Sequence, residues 1–592
     1  MGFDKERGTH FILLGVVLLA WSYLATRAAL VPFIQDEANS FWMFVHAGEF
    51  LPFRSHTDAG NHFLSSFFGI VGYKLFGYSA IGIRWGSLAA FPFYAMGCWT
   101  ITRSLMGLTR WCSFLALAFC PFLLDFFALF RGYGPAMAGW IWALCGFAGF
   151  VKYRSLSQLL LMVAAASAAL FANLSLLPEC GILFGVSLLV LTLDRQTSTN
   201  RLGKGAFLAF AAFGAVLSFA LLIALDLRQK DLLYLGTSKG LMSGPVRTLI
   251  DAVFSGPRSL LTDQVIIAPL FIGLGLAAWQ AVHKQWRSDL TIFSTLFLLS
   301  VLARVFMFHF MGTNYPYDRA AIQWIPLFIL VYAETVDVLA RHRRAWRWAA
   351  LLLLAFPART VATLNTDRLS DSYEKTFPLR FLDEVALLHG KLGRPILLSG
   401  SEHFAPCWAF HQAAGSGEIV EMRSNMDPHD PDDARVVTRE RLGEYQAGYH
   451  VADSSRSGAV LLIRDRPLAW SLSSDTLLPA IRTNDEWIRL PVTCPSSPAG
   501  ICVIFNAEVK CTDPTSDIML VTEVVDGAGQ YLRYDAAELR HWPQLTSGTL
   551  VEIARFMPAI PQGGKCGFYL WNKSRSSYQT PAVRIRTMGV HQ

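Results

Sequence analysis

A succession of long apolar runs constrains this chain more than anything else in it. Stretches near 11–31, 80–102, 111–130, 133–151, 156–174, 177–193, 205–225, 264–282, 290–310, 321–340 and 347–363 approach or reach the length of a bilayer crossing, for which about 20 apolar residues suffice. Only 16% of the 592 residues are charged and 53% are hydrophobic, whereas a soluble domain carries about 25% charged residues. The first run exceeds the roughly 7–15 residues of a signal-peptide core, so it reads as a membrane helix and not as a cleaved leader. The +7 formal charge does not point to nucleic acid, because much of the Lys and Arg sits in short connections between apolar runs.

Those connections set an orientation. With Lys5 and Arg7 cytoplasmic, eleven helices put Arg103 and Arg110, then Lys152 and Arg154, on the cytoplasmic side. The same count puts Arg195, Arg201 and Lys204, then Lys284 and Arg287, then Arg341, Arg343, Arg344 and Arg347 there as well. This is the pattern the positive-inside rule requires, and one helix more or fewer would invert it. Everything after residue 364 then falls outside the cytoplasm.

The expected fold is a polytopic α-helical membrane protein of about eleven transmembrane helices with a C-terminal extracytoplasmic α/β unit and a β-sandwich. The boundaries read as 1–363 for the membrane domain, 364–482 for the α/β domain and 483–592 for the sandwich. The apolar segment His62 to Phe76 is short and reads as a re-entrant or interfacial helix. Helical patterning at Leu379 to Leu392 and short strands at Pro395 to Ser399 and Ala459 to Arg464 define the α/β unit, which also holds an acidic loop, Asp427 to Asp433. Strand signals at Ile501 to Val509, Ile518 to Val525, Thr549 to Phe556, Lys565 to Trp571 and Ala582 to Thr587 define the sandwich.

Ten cysteines show neither a CxxC pair nor metal-ligand spacing. Cys98, Cys112, Cys120, Cys145 and Cys180 lie in apolar runs and read as small packing residues. In an oxidising compartment the C-terminal set would form one or two disulfides, with Cys494–Cys502 and Cys511–Cys566 as the expected pairs.

Polar residues that could carry chemistry gather at the outer ends of the apolar runs. Asp36 and Glu37 follow the first run and Pro32; Asp36 is the candidate general base for an inverting sugar transfer, which needs a carboxylate opposite the leaving group. The alternative is that the pair caps a short helix. Asp58 and His62, with Asn61 beside them, would share a face if helical and could position an acceptor, form a metal site, for which one His and a few carboxylates are a weak signal, or sit idle on a loop. Asp125 lies inside an apolar run, where an ionisable group is costly; Arg131, beside Tyr133, could pair with it, with Asp36 or with a substrate phosphate. Arg319, next to Asp318, is a second phosphate candidate, since a guanidinium forks onto phosphate oxygens. Arg228, Lys230, Lys239, Arg247 and Arg258 add basic charge to a long outer loop. Walker A, dinucleotide, HExxH and GxSxG motifs are absent from the sequence.

This arrangement resembles the C-type (GT-C) membrane glycosyltransferases, and within them the group of protein O-mannosyltransferases and lipid A aminoarabinose transferases (glycosyltransferase family 39-like). The likeness rests on Asp36 and Glu37 after the first helix; on Asn61, His62 and Ser65, followed by Tyr73 to Gly77 and Ile83 to Ser87; on Asp125 to Gly134; and on Asp318 and Arg319. It covers roughly 10–360. The resemblance implies a bacterial inner-membrane enzyme using a polyprenyl-phosphate sugar as donor and Asp36 as the catalytic residue. Glu37, Asp58, Asn61, His62, Asp125, Arg131, Tyr133, Asp318 and Arg319 would bind substrate, and the acceptor would be an envelope glycan, lipid or protein at the outer face. No metal ligand is assigned and a divalent metal is left open. The chain departs from the aminoarabinose transferases where their Glu-Lys-Pro-Pro-Leu motif gives way to the stretch from Asp58 to Leu64. Two rivals are a transporter of lipid-linked sugars and a non-catalytic scaffold of the same fold.

Overall fold

The computed structural model describes residues 2–591 apart from 194–198, 234–235, 256–259, 370–375, 416–418, 493–499, 512, 514–515, 543–544 and 546. Arg195, Arg258 and Cys494 therefore lie outside the described residues. The chain divides into two compact units. The first comprises 1–30, 50–71 and 83–366; the second comprises 31–49, 72–82 and 367–592.

The first unit is helical. Among the described residues six helices are long and apolar enough to cross a membrane: Gly8–Leu30, Tyr133–Tyr153, Leu174–Thr192, Gly203–Gln229, Thr262–Val282 and Asp289–Met311. The other expected spans are also helical, at Ala80–Ile101, Leu156–Ala172 and Trp324–His342. Two are broken. The span expected at 111–130 ends as Gly107–Ala118, and a separate short helix, Pro121–Asp125, follows. Pro121 disfavours a helical Cys120 before it and takes the first position of the new helix. The span at 347–363 is 3₁₀ over Arg344–Leu354 and α over Ala355–Ala362. The expected short helix is present as Phe63–Phe76.

Among the described residues, several connections meet one another in two groups. On the basic side, Lys152 pairs with Asp289, Arg154 lies over Trp286, Ser104 donates to Glu334 and the Met106 N–H to Asp337. On the other side, His62 meets the Ala172 carbonyl, Arg228 donates to the Met311 carbonyl, and Thr237 and Tyr315 exchange backbone hydrogen bonds of 2.9 and 3.0 Å.

In the second unit a five-stranded sheet orders Met422–Arg423, Leu398–Gly400, Ala434–Thr438, Ala459–Arg464 and Tyr449–Ser454 side by side, the first three parallel. The helices Arg380–Leu392 and Ala405–Ala414 belong to this layer. Two antiparallel sheets follow. Ile518–Val525 pairs with Tyr531–Glu538 and Lys565–Asn572. Ile501–Cys511 pairs with Thr549–Met557 and Val583–His591, and the latter also pairs with Ala469–Leu478. Strand period 2 explains the packing: Val503, Phe505 and Val509 join Leu520, Phe568 and Ile585 in the core. Cys502 and Ile504 face the other way, onto Leu397 and Phe556.

Neither expected disulfide is present. Cys502 and Cys511 are free thiols and sit on opposite faces of one strand, while Cys566 is disulfide-bonded. The acidic loop is also not a solvated one. Asp430, Asp432 and Asp433 are buried; Arg423 meets Asp430 and Asp432, Arg533 meets Asp430, and Arg394 forks onto Asp433 through two bonds of 2.8 Å.

Candidate functional site

The residues singled out in the sequence divide between the two units. Asp36 and Glu37 stand on a six-residue helix, Gln35–Ser40, of the second unit. The Ile34 N–H donates to Glu37 Oε2 at 3.3 Å, so the fully buried Glu37 closes the helix start as a capping-box residue. Asp36 is half-buried. The helix is held by its neighbours on Ala405–Ala414: Phe33 stacks on Phe410 with ring centroids 3.9 Å apart, the Phe33 N–H donates to His411 Nε2, and Trp42 donates to the Pro406 carbonyl at 3.2 Å. Burial, then the nearby Glu37 and Asp36 carboxylates, push the Cys407 thiol well up, which sets both acids beside that helix.

Asp58, Asn61, His62, Arg131, Tyr133, Asp318 and Arg319 belong to the first unit. Asp58 to His62 is a turn and not a helix: the Gly60 N–H donates to Asp58 Oδ1 at 2.5 Å and the Asn61 N–H to the Asp58 carbonyl at 3.2 Å. Asn61 is absorbed locally, donating to the Phe50 carbonyl and accepting from Ser66, each at 3.0 Å. His62 is buried; its Nδ1 lies 3.0 Å from the Ala172 carbonyl and its ring meets Tyr133 edge-on at 5.2 Å. The Arg319 guanidinium lies over that same Tyr133 ring, 5.9 Å from its centroid. A Cβ on Gly132 would fall 1.9 Å from the Ala172 carbonyl and 2.6 Å from the His62 ring, so the close approach of these loops depends on glycine. Arg131 Nη1 lies 3.9 Å from where a Gly60 Cβ would be. His62, Arg131, Tyr133 and Arg319 are thereby one neighbourhood, with Asp58 at its edge.

Asp125 is buried and ion-paired with Arg27 of the first helix, a partner the sequence reading missed. It also missed the most elaborate polar cluster of the helical unit. Glu179 accepts from Ser300 at 2.9 Å, from Gln323 at 3.1 Å and from Arg304 at 2.9 Å, and Trp324 donates to Ser300 at 2.8 Å. The signal was present: single opposite charges inside two separate apolar runs. Of the basic loop residues, Lys230 bonds to Asp226 and Thr57, Arg228 to the Met311 carbonyl and Arg247 lies 3.9 Å from Asp251.

An apolar cavity of about 250 Å³ lies in the same unit, lined by side chains including Leu249, Val253, Leu270, Phe297, Trp324 and Phe356, all hydrophobic. The Asp318 to Ala321 turn is tied to its wall. The Asp318 N–H donates to Thr248 Oγ1 at 3.1 Å, one residue before Leu249, and Arg319 precedes Trp324 by a single turn of chain. Among the described residues no three His, Cys, Asp or Glu side chains are grouped so as to hold a metal ion.

No family model and no curated protein matches the chain. In structure it is similar to ArnT from Cupriavidus metallidurans in the apo state, with a TM-score of 0.46 and 12% identity over 77% of this chain and 98% of that one. It is similar also to ArnT from the same organism bound to undecaprenyl phosphate, with a TM-score of 0.44 and 13% identity over the same shares. Residue roles do not transfer at such identity, so the chemistry is read from this chain's own side chains.

Proposed function

We propose that this chain is a membrane glycosyltransferase that moves a sugar from a polyprenyl-phosphate donor to a cell-envelope acceptor at the outer membrane face. The observation that carries the reading is the apolar cavity with a basic turn bound to its wall. A long hydrocarbon tail suits a cavity with no polar lining, and an anionic head suits the guanidinium of Arg319 beside Tyr133 and His62. The sorting of loops into a basic end and a site-bearing end supports the orientation. The disulfide at Cys566 supports an oxidising compartment for the C-terminal unit.

In this reading Asp36 takes the proton of the acceptor hydroxyl as its oxygen bonds to the anomeric carbon. The bond from that carbon to the phosphate oxygen breaks on the opposite face, and its electron pair leaves with polyprenyl phosphate. A phosphate leaving group needs no proton donor, only positive charge. Glu37, committed to the helix cap, holds Asp36 in place.

The test is release of polyprenyl phosphate from a panel of polyprenyl-phosphate sugars by purified protein with crude envelope acceptor. One donor class is expected to be consumed, with Arg319→Met slower by at least tenfold and short-tailed donors poorly used. No release from any donor by folded protein, or equal use of donors lacking the long tail, would contradict the reading.

A further inference from the structure

The second unit holds a polar cavity of about 190 Å³ that the sequence reading did not anticipate. One wall comes from the helix bearing Asp36 and the turn after it: Gln35, Asn39, Trp42 and Met43 all line it. Their spacing of four, seven and eight residues places them on one helical face, and Asp36 is the neighbour of the first. The facing wall includes Glu402, Glu421, Glu538, Arg540 and His541.

The charge of this lining decides what it can hold. Glu421 is taken up by Arg555, with bonds of 2.6 and 2.7 Å. Glu538 is taken up by Arg540 at 2.6 Å; burial pushes its carboxyl up, but Arg540 and His541 outweigh that and hold it below the ordinary value. Burial pushes His541 down to about 4, with Glu538 raising and Arg540 lowering it, so its imidazole is neutral at pH 7. Gln35 Oε1 is engaged by His403 at 2.7 Å. Among the described residues the side chains of Glu402 and Asn39 have no hydrogen-bond or ion-pair partner. The cavity thus offers an acceptor-only carboxylate, an amide with both donors and an acceptor, and the apolar indole of Trp42. Its one guanidinium is already neutralised, so it has no cation for a phosphate.

We infer that this cavity is a carbohydrate-binding subsite, taking one neutral sugar unit whose hydroxyls donate to Glu402 and bond with Asn39 while its apolar face lies against Trp42. Of the three acceptor classes considered, this favours a glycan, because the helix that forms the cavity wall also presents Asp36. The acceptor assignment rests on the glycosyltransferase reading; the binding of sugar does not.

Calorimetric titration of the full-length protein in detergent with neutral oligosaccharides of glucose, mannose, galactose and N-acetylglucosamine tests it, with inorganic phosphate as the anionic probe. Saturable binding of at least one oligosaccharide is expected, weakened at least tenfold in both Glu402→Gln and Asn39→Ala, with no response to phosphate. Glu402 is exposed, so its variant should melt with the wild type and lost binding would not reflect unfolding. Binding of no oligosaccharide, binding unchanged in both variants, or competition by phosphate would overturn the subsite. None of these outcomes bears on polyprenyl phosphate release, so the two readings fail separately.

Discussion

Arg304, set among the membrane helices, has a single carboxylate partner, Glu179. Arg423, buried in the β-rich unit, lies within 4 Å of three: Asp430, Asp432 and Asp535. The β-rich unit builds a mesh in which Arg423, Asp430, Asp432, Asp535 and Arg555 each meet two or more counter-charges. It joins two layers, since Arg423 comes from the mixed sheet and Asp535 and Arg555 from the sandwich. The helical unit holds pairs such as Arg27 with Asp125 and Lys152 with Asp289. Removing two ions from water is expensive, and a lone pair is retained only with good geometry and further hydrogen bonds. Glu179 meets that condition through Ser300 and Gln323. The polar neighbourhood of His62, Tyr133 and Arg319 includes ring contacts and a backbone carbonyl.

The largest stability effect should come from breaking the single pair. Glu179→Leu leaves the Arg304 guanidinium without its carboxylate, at a cost of about 3–5 kcal/mol, and should abolish a cooperative melt in detergent. The double variant Glu179→Leu with Arg304→Met should recover much of the loss; a double variant as damaged as the single one would show that the pair does more than cancel charge. In the mesh the effect should be smaller. Asp535→Asn leaves Arg423 with Asp430 and Asp432 and Arg555 with Glu421, so about 1–3 kcal/mol is expected, read as a lower melting temperature with the fold retained. Equal losses in the two units would remove the distinction.

A still smaller effect concerns two buried imidazoles of the second unit. Burial, then His541 and Arg540, push His46 down to about 4, and His541 is likewise down to about 4. Between the ordinary value of 6.5 and about 4 the unfolded chain binds protons that the folded chain does not. Stability is therefore full above pH 6.5 and falls as pH drops through that window. Melting temperatures from pH 7.5 to 4.5 should show the decline, and His541→Asn should flatten it; a flat wild-type profile would refute the buried neutral state.

Much of the fold was legible because each signal was local. Hydropathy gave helices at the expected spans, and alternation gave Ile518–Val525 and Ala459–Arg464 at their observed limits. What escaped depends on contacts distant in sequence. Arg27 meets Asp125 across 98 residues and Arg304 meets Glu179 across 125. Nothing local marks 31–49 as part of the unit formed by 367–592; its aromatic residues, Phe33, Phe41 and Trp42, read equally well as a membrane-interface belt. The break at Phe119 and Cys120 was legible in Pro121, where run length outweighed it.

The central claim is that Asp36 is the base of a transfer reaction, with Glu37 confined to holding its helix. The direct measurement is the rate of polyprenyl phosphate release by wild type and by Asp36→Asn, at matched folded protein, from the donor that wild type uses. Loss of a positioned base predicts a fall of about 10²–10⁴-fold in Asp36→Asn with little change in donor KM. Release by Asp36→Asn within a few fold of wild type would contradict the account.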